Sequence, residues 1–85
     1  MILKVFTNAN NPETAEAINL AKNLEEEGNR VEYYDLDGDE AHQLAEIFDI
    51  YISPSFAITQ DDGREIHVWR GLIPLNSELT NYLRS

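Results

Sequence analysis

Two short polar stretches contain the residues whose types and spacing are suited to chemistry. The first stretch, residues 7–17 (TNANNPETAEA), follows an apolar run and contains Asn11, Pro12 and Thr14, and the second stretch is Ser53-Pro54. Amide and hydroxyl groups form hydrogen bonds, but a threonine hydroxyl attacks a substrate only when a neighbouring base activates it. Because the 85 residues include no cysteine, they cannot carry out thiol–disulfide exchange or bind a metal through a thiolate.

The histidines and acidic residues do not form a recognisable metal-binding motif. His42 and His67 are the only histidines, and they lack the H-x-x-x-H spacing of a zinc site. The segment 35–40, DLDGDE, resembles a calcium loop, but Gly38 comes too early in it for an EF-hand. We therefore interpret both histidines as surface or packing residues, interpret the acidic segment as a turn and helix cap, and predict no metal and no cofactor.

Composition and charge limit the classes of function. The 85 residues, 42% of them hydrophobic, fit one domain spanning 1–85. A net charge of -10 repels phosphate backbones and anionic lipid, so we expect neither nucleic acid nor membrane as a partner. The opening MILKVF lacks the features of a signal peptide, and no later run has the length of a membrane span. We expect a cytoplasmic protein.

The first half of the chain has the pattern of a strand, a helix and a second strand. Residues 2–6, ILKVF, favour a strand. Asn11 is suited to cap the helix that follows, with Pro12 as its first residue. The helix then has an apolar stripe at spacings of three and four, formed by Ala17, Leu20, Ala21 and Leu24. Gly28 ends this helix, and residues 31–36, VEYYDL, favour a strand that a helical crossover makes parallel to the first.

The second half predicts a short helix, a hairpin and a terminal helix. The short helix repeats the apolar spacing at Ala41, Leu44, Ala45 and Phe48. Residues 55–60 and 64–70 are strand-like, and the turn 61–63, Asp-Asp-Gly, is short enough to make them antiparallel. Asn76 or Ser77 caps the terminal helix. The order βαβαββα predicts an α/β domain with a four-stranded mixed sheet and helices on both faces.

With this order of elements, the sequence resembles the thioredoxin-like superfamily, closest to its short glutaredoxin-type and archaeal thioredoxin-type members. The resemblance covers essentially the whole chain and rests on FTNANNPETAEA, YISPSFAI and RGLIPLNSEL. The family has Cys-Pro-x-Cys in the first segment, so Asn11 falls on the first cysteine, Pro12 on the proline and Thr14 on the second cysteine. Pro54 matches the cis-proline that begins the family's third strand.

The resemblance and the missing thiols together imply a function. The chain cannot act as a dithiol oxidoreductase, so we expect a redox-inactive domain that binds a protein or a peptide. In this fold the backbone just before the cis-proline is free to pair with an extended peptide, which implies a shallow groove beside Pro54. The predicted groove residues are Asn10, Asn11, Pro12, Thr14, Ser53 and Pro54.

Two other functions are compatible with the resemblance. A thiol-independent glutathione enzyme would use Asn11 to hydrogen-bond the glutathione thiolate, with Arg70 as its only nearby cation. The basic residues that flank the glutaredoxin motif are replaced here by Asn8 and Glu16, so we do not expect glutathione as the ligand. The circadian clock protein KaiB has a similar N-x-P-x-S type turn without cysteines and binds partner proteins, which implies a KaiB-like regulator as the second alternative.

Overall fold

The strands and helices follow one another in the order that the sequence predicts. The computed structural model describes residues 1–84. Its strands are β1 (Ile2–Thr7), β2 (Arg30–Asp35), β3 (Ser55–Thr59) and β4 (Glu65–Arg70). Its helices are α1 (Thr14–Glu26), α2 (Asp39–Ile47) and α3 (Asn76–Leu83). No helix in this described part of the chain is long and apolar enough to cross a membrane.

The sheet is mixed, and its strands lie in the order β2-β1-β3-β4. β1 and β2 are parallel because α1 carries the chain back along the sheet between them. β3 pairs antiparallel with β1, and the β3–β4 hairpin is antiparallel as predicted. Its turn contains Gly63 at φ 92°, a conformation that a residue without a side chain adopts at little cost. Because β1 and β2 are parallel neighbours, their carboxyl ends lie side by side at the same end of the sheet.

The two faces of the sheet are covered by different helices, as the sequence predicts. α1 and α3 pack on the face with the larger core, whose buried members are Leu3, Val5, Ala17, Ala21, Leu24, Phe56, Ile58, Trp69 and Leu79. α2 packs on the opposite face, whose buried members are Phe6, Ala45, Phe48, Ile50 and Ala57. Neighbouring residues of β1 belong to different cores because side chains alternate between the faces of a strand.

The predicted start of α1 is wrong. Pro12 was expected to be the first helical residue, but the helix begins at Thr14. The Asn11 Oδ1 accepts a hydrogen bond of 2.8 Å from the Glu13 amide, as a capping residue would. The Asn11 carbonyl also accepts a bond of 3.2 Å from the Thr14 amide, which closes a turn before the helix begins. The helix does end as predicted, with Gly28 at φ 100° just beyond it.

The predicted cap of α3 is also wrong. Neither Asn76 nor Ser77 caps this helix, because Asn76 is already its first residue and Leu75 occupies the capping position. Leucine has no side-chain acceptor, so the Leu75 side chain cannot accept a hydrogen bond from an amide of the first turn. The Glu78 carboxylate accepts a hydrogen bond of 3.3 Å from the Leu75 amide, which is half of a capping box.

One charged side chain is buried in the sheet. Lys4 of β1 donates a hydrogen bond of 2.6 Å to Glu32 of β2, and the Tyr34 hydroxyl donates one of 2.7 Å to the same carboxylate. The bonds from Lys4 and then from Tyr34 hold the pKa of Glu32 below its usual value. Burial, followed by the hydrogen bond to Glu32, raises the pKa of Tyr34 to about 12. The cluster is a structural ion pair that links two neighbouring strands.

Replacing Leu79 with alanine should destabilise the domain, because this side chain is fully buried and anchors α3 to the larger core. A buried Leu→Ala change typically lowers the free energy of unfolding by about 2–5 kcal/mol. Urea unfolding followed by circular dichroism measures the change. Asn81→Ala, an exposed site on the same helix, is the control and should stay within about 0.5 kcal/mol of wild type. Equal stability of the two variants would contradict the packing described for α3.

Replacing Glu32 with glutamine should lower the free energy of unfolding at pH 7 by about 1–3 kcal/mol, because Lys4 would lose its charged partner. Since folding lowers the pKa of Glu32, its contribution is fully present above the unfolded pKa and is lost as the pH falls through the folded pKa. Below pH 4.5 the stabilities of wild type and variant should therefore converge. Urea unfolding at pH values from 7 to below 4.5 measures the difference. Glu65→Gln on β4 is the control, because it changes the net charge by the same amount. A gap that does not depend on pH would exclude this role for the Glu32 charge.

Candidate functional site

The turn between β1 and α1 is hydrogen-bonded to the loop that precedes Pro54, which connects α2 to β3. The Asn11 Nδ2 donates a hydrogen bond of 2.7 Å to the Ser53 carbonyl, while its Oδ1 accepts the bond from the Glu13 amide. Both ends of the amide are therefore engaged within the protein. Asn11 thus sits beside Ser53 and Pro54, as the sequence predicts, and acts there as a cross-link between the two segments.

Further hydrogen bonds complete this connection. The Ser53 Oγ accepts a bond of 3.2 Å from the Asn8 amide, so Ser53 contacts the turn through its side chain as well as its carbonyl. The Thr14 Oγ1 donates to the Asn8 carbonyl. The Thr14 hydroxyl proton is thereby committed to a backbone carbonyl and not to a base that would make the oxygen nucleophilic. At Asn11 and Thr14, the polar side-chain atoms hold the backbone of the turn and the loop together.

The other side of the loop is held by Ser55, the first residue of β3. Its Oγ donates a hydrogen bond of 2.6 Å to the Ile52 carbonyl and accepts one of 3.1 Å from the Gly71 amide. Gly71 follows β4 and has φ 73°. A Cβ atom built there would lie 3.2 Å from two Ile52 side-chain carbons, so the Ile52 side chain covers this glycine. The loop before Pro54 is consequently fixed to three parts of the chain.

The predicted site residues differ in exposure. Ser53 and Pro54 are buried, and the peptide bond between them is cis. Asn11 and Thr14 are half-buried, whereas Asn10 and Pro12 are exposed on the turn. A partner that approaches this surface can therefore touch Asn10 and Pro12 directly, but it reaches little of Ser53 or Pro54.

Two large apolar side chains of this loop, and one in the segment after β4, are exposed to solvent. Tyr51 is 72% exposed, Ile52 is 54% exposed and Leu72, next to Gly71, is 47% exposed. We call these three residues the apolar rim. Exposed apolar side chains that lie together on a protein surface often mark a site of interaction with a partner.

A cleft of about 220 Å³ opens beside the rim, between the turn after β1, the loop after β2 and helix α2. Its polar lining comes from Asn8, Asp37, His42, Glu46, Tyr51 and Ser53. Its apolar lining comes from Leu36 and Ile50. Within the described residues that line it there are two carboxylates and no lysine or arginine, so we call it the acidic cleft.

The sequence does not predict the cleft because its residues come from four separate segments: the turn after β1, the loop after β2, α2 and the loop before Pro54. Asn8 follows β1 and Asp37 follows β2, and the carboxyl ends of parallel strands are where ligands commonly bind in open α/β sheets. His42 and Glu46 stand four residues apart on α2 and therefore share one face of that helix. These two signals together would have indicated the cleft. Residues 1–84 contain no group of three histidine or acidic side chains placed to hold a metal ion.

Arg70, the cation that a glutathione site would need, is bonded to another part of the chain. Its guanidinium donates a hydrogen bond of 2.7 Å to the Phe48 carbonyl and one of 3.1 Å to the Asp49 carbonyl. It therefore supports the turn that follows α2. Because the neighbouring cleft is lined by carboxylates, its field repels the carboxylates of a ligand such as glutathione.

The comparisons with known proteins identify a fold. The germline-specific thioredoxin Deadhead (thioredoxin-1) of Drosophila melanogaster superposes with a TM-score of 0.71 at 19% identity, over 98% of this chain and 77% of the other. Thioredoxin 1 of the thermophilic eubacterium Thermosipho africanus superposes with a TM-score of 0.67 at 15% identity, over 99% and 96%. No family profile matches the sequence, and no curated protein is significantly similar to it. These structures confirm the predicted fold, and at such identities they show the fold alone.

Replacing Asn11 with alanine should loosen the connection between the turn and the loop, because two hydrogen bonds are lost and the carbonyl of buried Ser53 is left without its donor. The free energy of unfolding should fall by about 1–2 kcal/mol. Urea unfolding measures this fall, and hydrogen exchange of the Glu13 amide should become faster. Asn10→Ala, one residue away and exposed, is the matched control and should leave both measurements unchanged. Equal behaviour of the two variants would show that Asn11 does not cross-link the segments.

Proposed function

We propose that this chain, whose fold is thioredoxin-like, is a redox-inactive module that binds a protein or a peptide at the surface around the loop before Pro54. The absence of cysteine supports the first half of the proposal. The committed polar atoms of Asn11 and Thr14 support it further, because they hold the backbone in place and leave no activated nucleophile at the positions of the family's cysteines.

The apolar rim is the observation on which the proposal depends. Tyr51 and Ile52 expose 72% and 54% of their surface although they belong to a loop that is hydrogen-bonded on both sides. Keeping apolar side chains in water is unfavourable by roughly 25 cal/mol for each Å² that a partner could cover. A partner that covers them would recover this free energy, and aromatic residues in such positions are frequent anchors of interfaces.

The hydrogen bonds that fix the loop favour binding in a second way. A loop that is ordered before the partner arrives loses less conformational entropy in the complex. Asn11, Thr14 and Ser53 therefore act as positioning residues, and Pro54 packs beneath the loop. Exposed Asn10 and Pro12 extend the contact surface on the side of the turn.

In the proposed binding mode, side-chain contacts contribute more than main-chain pairing of a peptide beside Pro54. The Ser53 carbonyl already accepts a hydrogen bond from Asn11, so one of the main-chain groups that would pair with an extended peptide is engaged within the protein. Side-chain contacts with the apolar rim then supply most of the affinity. Specificity comes from which apolar side chains the partner places on Ile52 and Tyr51.

Replacing Ile52 with serine should weaken partner binding about tenfold, because the apolar burial of one isoleucine is lost from the interface. The ligand for this measurement is a peptide enriched from a random phage-displayed library on the immobilised domain. It is then synthesised with a fluorescent label and titrated by anisotropy.

Ile47→Ser is the matched control for this experiment. Ile47 is the last residue of α2, lines a different cleft that includes none of the three rim residues, and is 72% exposed. If binding depended only on general surface hydrophobicity, Ile47→Ser would weaken it at least as strongly as Ile52→Ser does. The selected peptide should bind this variant as it binds wild type. Equal weakening by both substitutions, or failure of the library to enrich any peptide, would count against the proposed surface.

A further inference from the structure

The charges that line the acidic cleft favour a positively charged ligand. Asp37 and Glu46 contribute carboxylates from the loop after β2 and from α2, and the chain as a whole carries a net charge of -10. A concave site lined by one sign of charge concentrates the field, which attracts cations and repels anions. The Tyr51 side chain belongs both to this cleft and to the apolar rim, so the two surfaces are continuous.

The wall of the cleft also contains an acceptor that lacks a donor. Asn8 lines the cleft, and its Oδ1 is hidden from solvent without a hydrogen-bond partner among residues 1–84. A buried acceptor in this state costs free energy, which a hydrogen-bond donor brought by a ligand would reduce. This observation is independent of the carboxylates and favours a ligand that carries hydrogen-bond donors.

We propose that the acidic cleft binds the guanidinium group of an arginine side chain from a partner polypeptide, next to an apolar residue that packs on the rim. The inference rests on the proposed binding function and names the chemistry of the partner. The Glu46 and Asp37 carboxylates accept hydrogen bonds from the guanidinium, Asn8 Oδ1 accepts another, and the exposed Tyr51 ring offers a face for cation–π contact.

Arginine fits this arrangement better than lysine does. The acceptors come from three segments of the chain, and a planar guanidinium with five N–H donors can serve several of them together. A lysine ammonium is a compact, strongly hydrated point charge and stacks less well on an aromatic ring. A second copy of this chain is disfavoured as the occupant, because two surfaces that each carry a net charge of -10 repel one another.

The test uses Nα-acetyl-arginine N-methylamide as the probe and the corresponding citrulline compound as its control, since citrulline replaces the guanidinium with a neutral urea of nearly equal shape. Amide signals of the ¹⁵N-labelled domain are followed during titration with each compound. We expect saturable shifts at Asn8, His42, Glu46 and Tyr51 with the arginine compound and none with the citrulline compound.

Glu46→Gln and Glu26→Gln separate the local contact from the general field. Both residues are exposed glutamates on helices, but Glu26 lies at the carboxyl end of α1, at the opposite end of the sheet from the cleft. Glu46→Gln should weaken the arginine compound about fivefold, as expected for the loss of one exposed ion pair, and Glu26→Gln should not. Raising the salt concentration should weaken binding to wild type more than to Glu46→Gln.

Three results would overturn the inference. These are equal shifts with the citrulline compound, shifts outside the cleft, or equal weakening by the two glutamine variants. Each leaves the proposed function standing if library peptides still depend on Ile52, because that measurement does not use the cleft. Conversely, if the arginine compound binds as described while no peptide depends on Ile52, the cleft is an arginine site and the rim is not a docking surface.

Discussion

The hydrogen bond from Asn11 to the Ser53 carbonyl is the contact on which the candidate site depends. It joins segments that are 42 residues apart in sequence, and it sets the position of the loop that carries Tyr51 and Ile52. A single hydrogen bond contributes only about 0.5–1.5 kcal/mol net, so it could not hold the loop by itself. The contacts of Asn8 with Ser53, and of Ser55 with Ile52 and Gly71, fix the loop from both sides. An amide and hydroxyl groups thus give the loop a defined position without any covalent link.

The elements of this fold could be predicted from the sequence because their signals are local and agree with the packing. Ala17, Ala21 and Leu24 recur at helical spacing, and all three are fully buried against the sheet. The start of α1 could not be predicted in the same way. A bond from the Glu13 amide to Asn11 Oδ1 occurs both in a helix cap and in a turn that precedes a helix, so the sequence is compatible with either.

The site itself was predicted only in part, since it depends on contacts between distant segments. The resemblance correctly placed Asn11 next to Ser53 and Pro54, but exposure is a property of the packed structure. Ser53 and Pro54 are buried, and their neighbours Tyr51 and Ile52 are exposed. All four are consecutive residues before β3, and no pattern in the sequence distinguishes the buried pair from the exposed pair. The acidic cleft was harder still, because Asn8, Asp37 and Glu46 converge only after the two parallel strands and α2 have assembled.

Without thiols, a binding module of this fold would have to obtain its affinity from other contacts. A thiol enzyme can hold its substrate through a transient covalent bond to sulfur, whereas this chain has only non-covalent contacts. Burial of the apolar rim would contribute a few kcal/mol for each large side chain, and association itself costs about 4–15 kcal/mol, so the rim alone supports weak binding. In the proposed complex, an acidic cleft beside the rim would offset part of that cost for a basic partner, and it would also raise the association rate through long-range attraction. Because this attraction is screened by salt, the combination would favour partners that bind quickly and are released readily.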